Sequence, residues 1–495
     1  MKKCIVLSEN SYTELSSRVS LFRNVGAMEV ARRFRNHGYH TTQLEWFNSW
    51  EHDDLLKAFS LWLSDQDTQQ VIAISITFSL NILFNIRPVL EQVKKTYPHV
   101  KIIVGGNRAN EPKILEFVDD VFIGRSMEIL EDWIRDQDMH RFATKYPGVY
   151  VNRDVDVKTD IPVIPEPVDD DILNSSDILG FEIGIGCKFD CTFCSFDLRG
   201  IKNPTLVEAE RLRNFLQTAY DKYGVFNFYI ADDTVNEQDT KLEILASAVE
   251  QLTYKPNIVC YMRVDLLEAR PQQYDLIRRC NITGINFGIE TLNPHAAKLI
   301  KKSTRTELIY KALRQLRTIL PDAYLATGLI VGLTKDNKNS IWNSVKKLTS
   351  ETLVHSISPY SLAITLPVDE VFDDNYLSSI AQHPEKYGYT ITPIEHISSE
   401  DRPGGSVAMK WKNDWSDSDS AEQLALAVLH YIKQVNFSTV DAFEWLVLLT
   451  LGIVKTTEEH GVAGIDRVWS VTHNKIKRHK QTYISNKLKY LEEHK

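Results

Sequence analysis

Over the first 150 residues, short apolar runs alternate with stretches of helical periodicity. Residues 3–8, 42–46, 71–77, 101–105 and 120–123 read as strands. Residues 17–36, 53–64, 82–96 and 127–135 repeat apolar positions every three or four residues and read as helices, with Pro88 starting or kinking the third. Such alternation predicts a parallel sheet with helices on both faces, a doubly wound domain. The pattern breaks where Pro162, Pro165 and Pro167 punctuate an extended segment. It resumes with strands at 181–185, 227–231, 258–263, 284–289, 324–331 and 357–364, separated by helices at 206–223, 240–252, 272–280, 306–320 and 339–350. That is a second parallel α/β unit. Beyond residue 365 the alternation stops, and helices follow at 376–383, 421–433, 440–455 and 466–493. The predicted layout is a doubly wound domain over 1–140, a linker over 141–177, an α/β core over 178–365 and a mostly helical part over 366–495.

The length of 495 residues agrees with two or three domains. A net charge of −9 leaves no overall basic footprint for nucleic acid. The local basic run 475–480 reads as a solvated helix face. The longest apolar segment, 443–454, contains Glu444 and is too short to span a bilayer. The apolar run after Met1 is too short for a signal core. A cytoplasmic protein without a membrane partner is expected. Three of the six cysteines fall within eight residues, which points to metal chemistry rather than disulfides. Cys4, Cys260 and Cys280 read as buried small apolar residues.

The clustered cysteines are Cys187, Cys191 and Cys194, spaced C-x-x-x-C-x-x-C on a loop after a predicted strand. Loops at strand C-termini are where α/β proteins bind ligands. Three thiolates suit a soft metal or an iron–sulfur cluster. Structural zinc takes four protein ligands, and no fourth cysteine or histidine is near. The alternatives are a small zinc knuckle or three buried thiols.

This loop resembles the cluster motif of the radical S-adenosylmethionine (radical SAM) superfamily, with Phe193 in the aromatic slot before the last cysteine. The resemblance implies a 4Fe–4S cluster on the three cysteines, with SAM completing its fourth iron. It also implies a partial (β/α)6 TIM barrel over the core. Later strand ends extend it. Asp232-Asp233-Thr234 resembles the segment that holds SAM's amino group, although Asp and Thr also favour caps and turns. Arg263 could fork onto SAM's carboxylate or a substrate acid, or form a structural ion pair. Glu290, in Gly288-Ile289-Glu290, resembles the family's contact to SAM's ribose or methionine part. Gly328, Ile330 and Gly332 resemble the strand lining the adenine, where small residues admit a flat ring; tight packing is the alternative. Trp411 and Trp415 read as packing anchors, with the lining of a substrate pocket as the alternative.

The first domain resembles the cobalamin-binding-like Rossmannoid domain that precedes many radical SAM barrels. Ser75 and Thr77 after the third strand, and Gly105-Gly106 after the fourth, stand where that family approaches the cofactor's nucleotide tail. The family's D-x-H-x-x-G loop is absent: the first strand runs into Ser8-Glu9-Asn10-Ser11. Cobalamin is therefore a further cofactor the resemblance allows.

The activity implied is reductive cleavage of SAM to a 5′-deoxyadenosyl radical for chemistry on an unactivated carbon, foremost cobalamin-dependent methyl transfer. The alternatives are a cobalamin-free radical SAM enzyme whose first domain is a scaffold, and a non-catalytic iron–sulfur protein. The implied partners are a small-molecule or peptide substrate and an external one-electron reductant of flavodoxin or ferredoxin type.

Overall fold

The computed structural model describes residues 1–9, 21–64, 69–76, 81–106, 112–124, 127–152, 161–196, 198–367, 377–392, 406–457 and 465–494. The first parallel sheet is built from β1 (Lys3–Ser8), α1 (Val25–Asn36), β2 (His40–Glu45), α2 (His52–Trp62), β3 (Gln70–Ser75), α3 (Asn81–Asn85), α4 (Arg87–Thr96), β4 (Val100–Gly105), β5 (Asp120–Ile123), α5 (Met127–Ile134) and β6 (Val149–Val151). Its order is β2-β1-β3-β4-β5-β6. The order reverses between β1 and β3, the switch point at which doubly wound sheets place ligands. Separate apolar clusters cover its two faces, as continuous apolar strands require. The break between α3 and α4 falls just before Pro88, which sits in the first turn of α4. The sixth strand comes from the stretch expected as linker.

The second sheet comprises β7 (Ile178–Phe181), α6 (Ala209–Tyr223), β8 (Asn227–Ile230), α7 (Asp239–Val249), β9 (Asn257–Met262), α8 (Gln272–Arg279), β10 (Ile282–Glu290), α9 (Pro294–Leu299), α10 (Thr306–Ile319), β11 (Tyr324–Val331), α11 (Lys338–Ser350) and β12 (Ser356–Ser361). Its strands pair strictly in sequence, from β7 at one edge to β12 at the other, so the barrel is open. Alternate residues face opposite ways. Phe228, Ile258, Cys260, Ile285 and Phe287 pack outward under the crossover helices. Val259, Tyr324 and Ala326 face inward.

Beyond the barrel lie β13 (Thr365–Pro367), α12 (Ser379–Gln382), β14 (Thr390–Thr392), β15 (Ser406–Ala408), β16 (Lys410–Lys412), α13 (Ser418–Gln434), α14 (Ala442–Thr450) and α15 (Ile465–Glu493). The last three helices go to different places. Helix α13 lies beside α11 over β12 and extends the outer ring. Helix α14 enters the barrel, where Ala442 N donates to Asn286 Oδ1 (3.1 Å) and Trp445, Leu446 and Val447 meet the inward side chains. Helix α15 reaches the first domain, placing Tyr483, Ile484 and Leu491 in its core. Lys480 and Lys487 on this helix are buried rather than solvated. Among the described residues, no helix is long and apolar enough to cross a membrane.

Of the expected helix at 17–36, residues 17–20 lie outside the described residues, and α1 begins at Val25, capped by Asn24. Ahead of it the chain is extended: Phe22 bridges Ile178 in parallel, and Arg23 N donates to Ile178 O (2.9 Å). At the other open edge, Ser438 bridges Ser356.

Arg23 is buried where these parts meet. Its Nε donates to Asp177 Oδ1 (2.9 Å) and its Nη2 to Ile172 O (3.4 Å). The guanidinium lies 4.5 Å from the ring centroids of both Trp46 and Tyr483, and Tyr229 Oη donates to Arg23 O (3.2 Å). Trp46 (φ 53°) and Ile172 (φ 50°) are held in the left-handed region beside it. Burial alone would raise the Asp177 carboxyl, but the charge of Arg23 and the bond from His479 hold it below its ordinary value. Nearby, Glu45 accepts from Ser8 and Gln43, and burial pushes its carboxyl up to about 7, only partly opposed by Arg23.

Arg23→Ala should lower stability by about 3–5 kcal/mol, because it strands a buried carboxylate. The double change Arg23→Met with Asp177→Leu should cost less, and urea unfolding midpoints compare the two. The folded value of Glu45 lies above its unfolded one. Its contribution to stability is therefore full below about pH 4.5 and is lost as pH rises through about 7. Glu45→Gln should gain on the parent at pH 8 and not at pH 4.5, read from the same midpoints.

Candidate functional site

The cysteine loop leaves β7 earlier than its alternating residues suggest. Ile183 and Gly184, expected in the strand, instead donate their backbone N–H groups to the Asp232 carboxylate (2.8 and 3.0 Å). Asp232 and Lys241 form a fully buried ion pair (2.7 Å), and Lys241 also pairs with buried Glu237 (2.8 Å). Burial would discharge Lys241, but the two carboxylates outweigh it and hold its ammonium above the ordinary value. Glu237 in turn accepts from Lys188 N (2.6 Å) inside the cysteine loop. Gly186 turns the chain with φ +84°, where an added Cβ would meet Leu198 O at 3.0 Å. Cys187 N donates to Leu198 O (3.0 Å) and Ile201 N to Cys187 O (3.0 Å), closing the loop on itself.

Cys187 is 9 % exposed and Cys191 8 %, and Cys194 is half-buried; none is in a disulfide. Each sulfur has a polar neighbour: Thr234 Oγ1 at 3.7 Å from Cys187, Arg263 Nη1 at 3.6 Å from Cys191, and Phe196 N at 3.4 Å from Cys194. Burial raises the Cys187 thiol and pushes Cys194 up to about 11, so iron binding must expel protons there. Among the described residues, no group of three or more His, Cys, Asp or Glu is already gathered as a metal site, the three cysteines included. The donor set fits a cluster: three thiols on one braced loop, each with a donor group near its sulfur. The outer side of the loop is held by the Lys301–Asp190 pair, by Thr192 Oγ1 on Leu299 O (3.2 Å) and by Arg199 Nη2 on Leu377 O (2.9 Å).

The other expected residues divide. Asp232 is engaged by two amides and Lys241, so it positions the loop from behind. Asp233 is exposed, and its charge acts on Cys187 and Cys194. Arg263 reaches the cysteine loop but is paired with Asp265 (3.0 and 2.8 Å). Glu290 is buried at φ +67°, beyond a register shift in β10. It accepts from Tyr360 Oη (2.8 Å) and lies 3.9 Å from Lys302 Nζ. Burial raises its carboxyl, opposed by the Lys302 charge and the Tyr360 bond. Gly328 makes room for Tyr360, whose hydroxyl an added Cβ would meet at 2.7 Å. Gly332 (φ +105°) makes room for the Trp411 ring at 2.4 Å. Ile330 is buried in the barrel's main apolar cluster. Trp411 and Trp415 anchor the chain by donating to Leu362 O (2.9 Å) and Leu333 O (2.8 Å).

Lys241, Glu237, Lys302 and Tyr360 went unread in the sequence. The first two stand four residues apart, a spacing visible in the sequence, but the extended Gln238 lies between them and Lys241 reaches back from the first turn of α7. Lys302 and Tyr360 carry no such signal. Lys302 donates to Gly288 O (2.7 Å) and lies 5.9 Å from the Phe193 ring centroid, joining the cysteine loop to β10.

In the first domain, Ser75 and Gly105 pair in register at the C-terminal edge of the sheet. Gly106 has φ +115°, and an added Cβ would collide with Ile76 O at 2.3 Å, so strand packing alone requires its glycine. Thr77 lies outside the described residues.

Residues 181–348 match the family model of the Radical SAM superfamily. The barrel is thus a radical SAM domain, which implies a 4Fe–4S cluster and SAM. No curated protein matches the chain in sequence. The radical S-adenosylmethionine methyltransferase TsrM from Kitasatospora setae, solved with tryptophan substrate and the SAM analog aza-SAM, gives a TM-score of 0.65 at 11% identity, covering 98% of this chain and 100% of that one. The same protein with cobalamin and a [4Fe-4S] cluster gives 0.63 at 11% identity, with the same coverage. The cobalamin-dependent S-adenosylmethionine radical enzyme OxsB, with aqua-cobalamin and S-adenosylmethionine bound, gives 0.61 at 13% identity, covering 95% of this chain and 72% of that one. At these identities the likeness is one of fold, and it extends over the first sheet, the barrel and the C-terminal helices.

Cys191→Ala should abolish cluster assembly, read as iron and acid-labile sulfide per chain after anaerobic reconstitution. Cys280→Ala, on the outer face of the barrel, should leave both unchanged.

Proposed function

We propose that this chain, whose barrel carries a radical SAM domain, is a cobalamin-dependent radical SAM enzyme that transfers a methyl group to an unactivated carbon of a small-molecule or peptide substrate. The observation that carries the reading is the cysteine loop: three thiols at the C-terminal mouth of an open barrel, each sulfur beside a polar neighbour. Cys187, Cys191 and Cys194 would hold the cluster, and Glu290, braced by Tyr360 and Lys302, would contact SAM. When bound, the cluster and SAM supply a one-electron reductive cleavage whose radical product abstracts hydrogen from carbon. The chain's own residues supply position and dryness. Asp232, Lys241 and Glu237 fix the loop, Phe189 packs against Arg263 and Phe193 against the barrel's main apolar cluster, and α14 fills the barrel.

Cobalamin is supported by the likeness over the first sheet and by Ser75 and Gly105 at its C-terminal edge. The segment 9–24 contains no histidine, so no imidazole from it would ligate the cobalt. That absence also favours a second reading, a radical SAM enzyme whose first domain is a scaffold. The reductant is an external one-electron donor of flavodoxin or ferredoxin type, and an oxygen-sensitive cluster suits the reducing cytoplasm.

Anaerobic reconstitution with iron, sulfide and hydroxocobalamin, followed by SAM and a reductant, should yield 5′-deoxyadenosine and methionine by mass spectrometry, with cobalamin absorbance co-eluting with the protein. No deoxyadenosine with any fraction of cell extract as substrate would overturn the radical SAM reading. Deoxyadenosine without bound cobalamin would select the scaffold reading.

A further inference from the structure

The guanidinium of Arg263 has little left to offer a free carboxylate. Its Nε and Nη2 form a side-on fork with Asp265 (3.0 and 2.8 Å). Its Nη1 points at Cys191 Sγ (3.6 Å), and its flat face covers the Phe189 ring at 3.9 Å from the centroid. The backbone is equally held: Asn236 accepts from Arg263 N (2.8 Å) and donates to Arg263 O (2.9 Å). Arg263 is only 6 % exposed. A bidentate grip on SAM's carboxylate would require the Asp265 fork to open.

We propose that Arg263 instead donates to the thiolate of Cys191 and so sets the reduction potential of the cluster, with Asp265 as its counterweight. This rests on the cysteine loop being a 4Fe–4S site. Reduction adds one electron, supplied by the external one-electron donor, and part of that charge falls on the thiolate sulfurs. A hydrogen bond to sulfur from a cationic donor stabilises the reduced form more than the oxidised form. At this depth solvent screens the charge weakly, so its effect on the cluster is large. Within the pair, Arg263 is the member that touches sulfur, so the positive end of the ion pair faces the cluster. Asp265 offsets that charge, and asparagine in its place would keep one oxygen to accept from the guanidinium and hold its aim. The two residues therefore act on the potential with opposite sign.

The test is a potentiometric titration of the reconstituted full-length protein, followed by electron paramagnetic resonance, with iron and sulfide content measured alongside. Arg263→Gln should shift the midpoint potential to more negative values, and Asp265→Asn to more positive values. Arg263→Lys, which keeps the charge without the planar fork, should recover part of the loss. SAM affinity, read from the spectral change on adding SAM, should stay within about threefold of the parent in Arg263→Gln. Unchanged midpoints in both variants would overturn the proposal. So would a loss of SAM affinity of more than about tenfold with an unchanged midpoint, the mark of a carboxylate clamp. If Arg263→Gln fails to assemble a cluster, Asp265→Asn and Arg263→Lys still decide by the sign of their shifts. A parent protein that assembles no cluster would overturn the cluster reading itself, whereas a parent with a cluster and variants without shifts would overturn only the role of Arg263.

Discussion

The cysteine loop depends on one buried relay of charge. Two amides at its start bind Asp232, which binds Lys241, which binds Glu237, which binds the amide of Lys188 within the loop. Two carboxylates share one ammonium with no water between them. Such an arrangement is costly to bury and holds only when every partner is in place. It holds the start of the loop, and with it Cys187, against the end of β8. Arg270 Nη1 donates to Glu237 O (2.7 Å), and Lys188 Nζ donates to the same oxygen, so further cations ring the relay.

Much of this was legible in the sequence, and the misreadings have local causes. Both parallel sheets follow from alternating apolar runs, and the cysteine spacing, with the strand before it and the strand ends after it, points to the candidate site. The run 181–185 reads as a strand because its residues alternate, yet Asp232 takes two of the amides that a neighbouring strand would have received. Residues 21–24 share helical spacing with α1 but are drawn out straight along β7. Gly328 and Gly332, which read as room for a flat ring or as tight packing, stand against Tyr360 and Trp411. Lys302 and Tyr360 were invisible because their meeting with Glu290 depends on a register shift in β10 and a left-handed backbone at Glu290. No local pattern encodes either.

The domains are coupled through Arg23 as firmly as the loop is through Asp232. One side chain touches the end of β2, the segment before β7 and α15, and its backbone touches β8. The C-terminal helices follow the same logic. One widens the helical ring, one fills the barrel, and one fastens to the first domain. A shift of the first sheet would be felt at the barrel's edge through Arg23 and Tyr229.

The open barrel has two edge strands, and each is covered by a segment from elsewhere in the chain: Phe22 bridges Ile178 on β7, and Ser438 bridges Ser356 on β12. Unpaired edges of parallel sheets are templates for adding foreign strands. The barrel is therefore protected from self-association by the domains around it. Cut free at residues 178 and 365, it would present two bare edges and an empty interior where α14 had been. Such a fragment would be open to edge-to-edge pairing at the two positions that the full chain occupies.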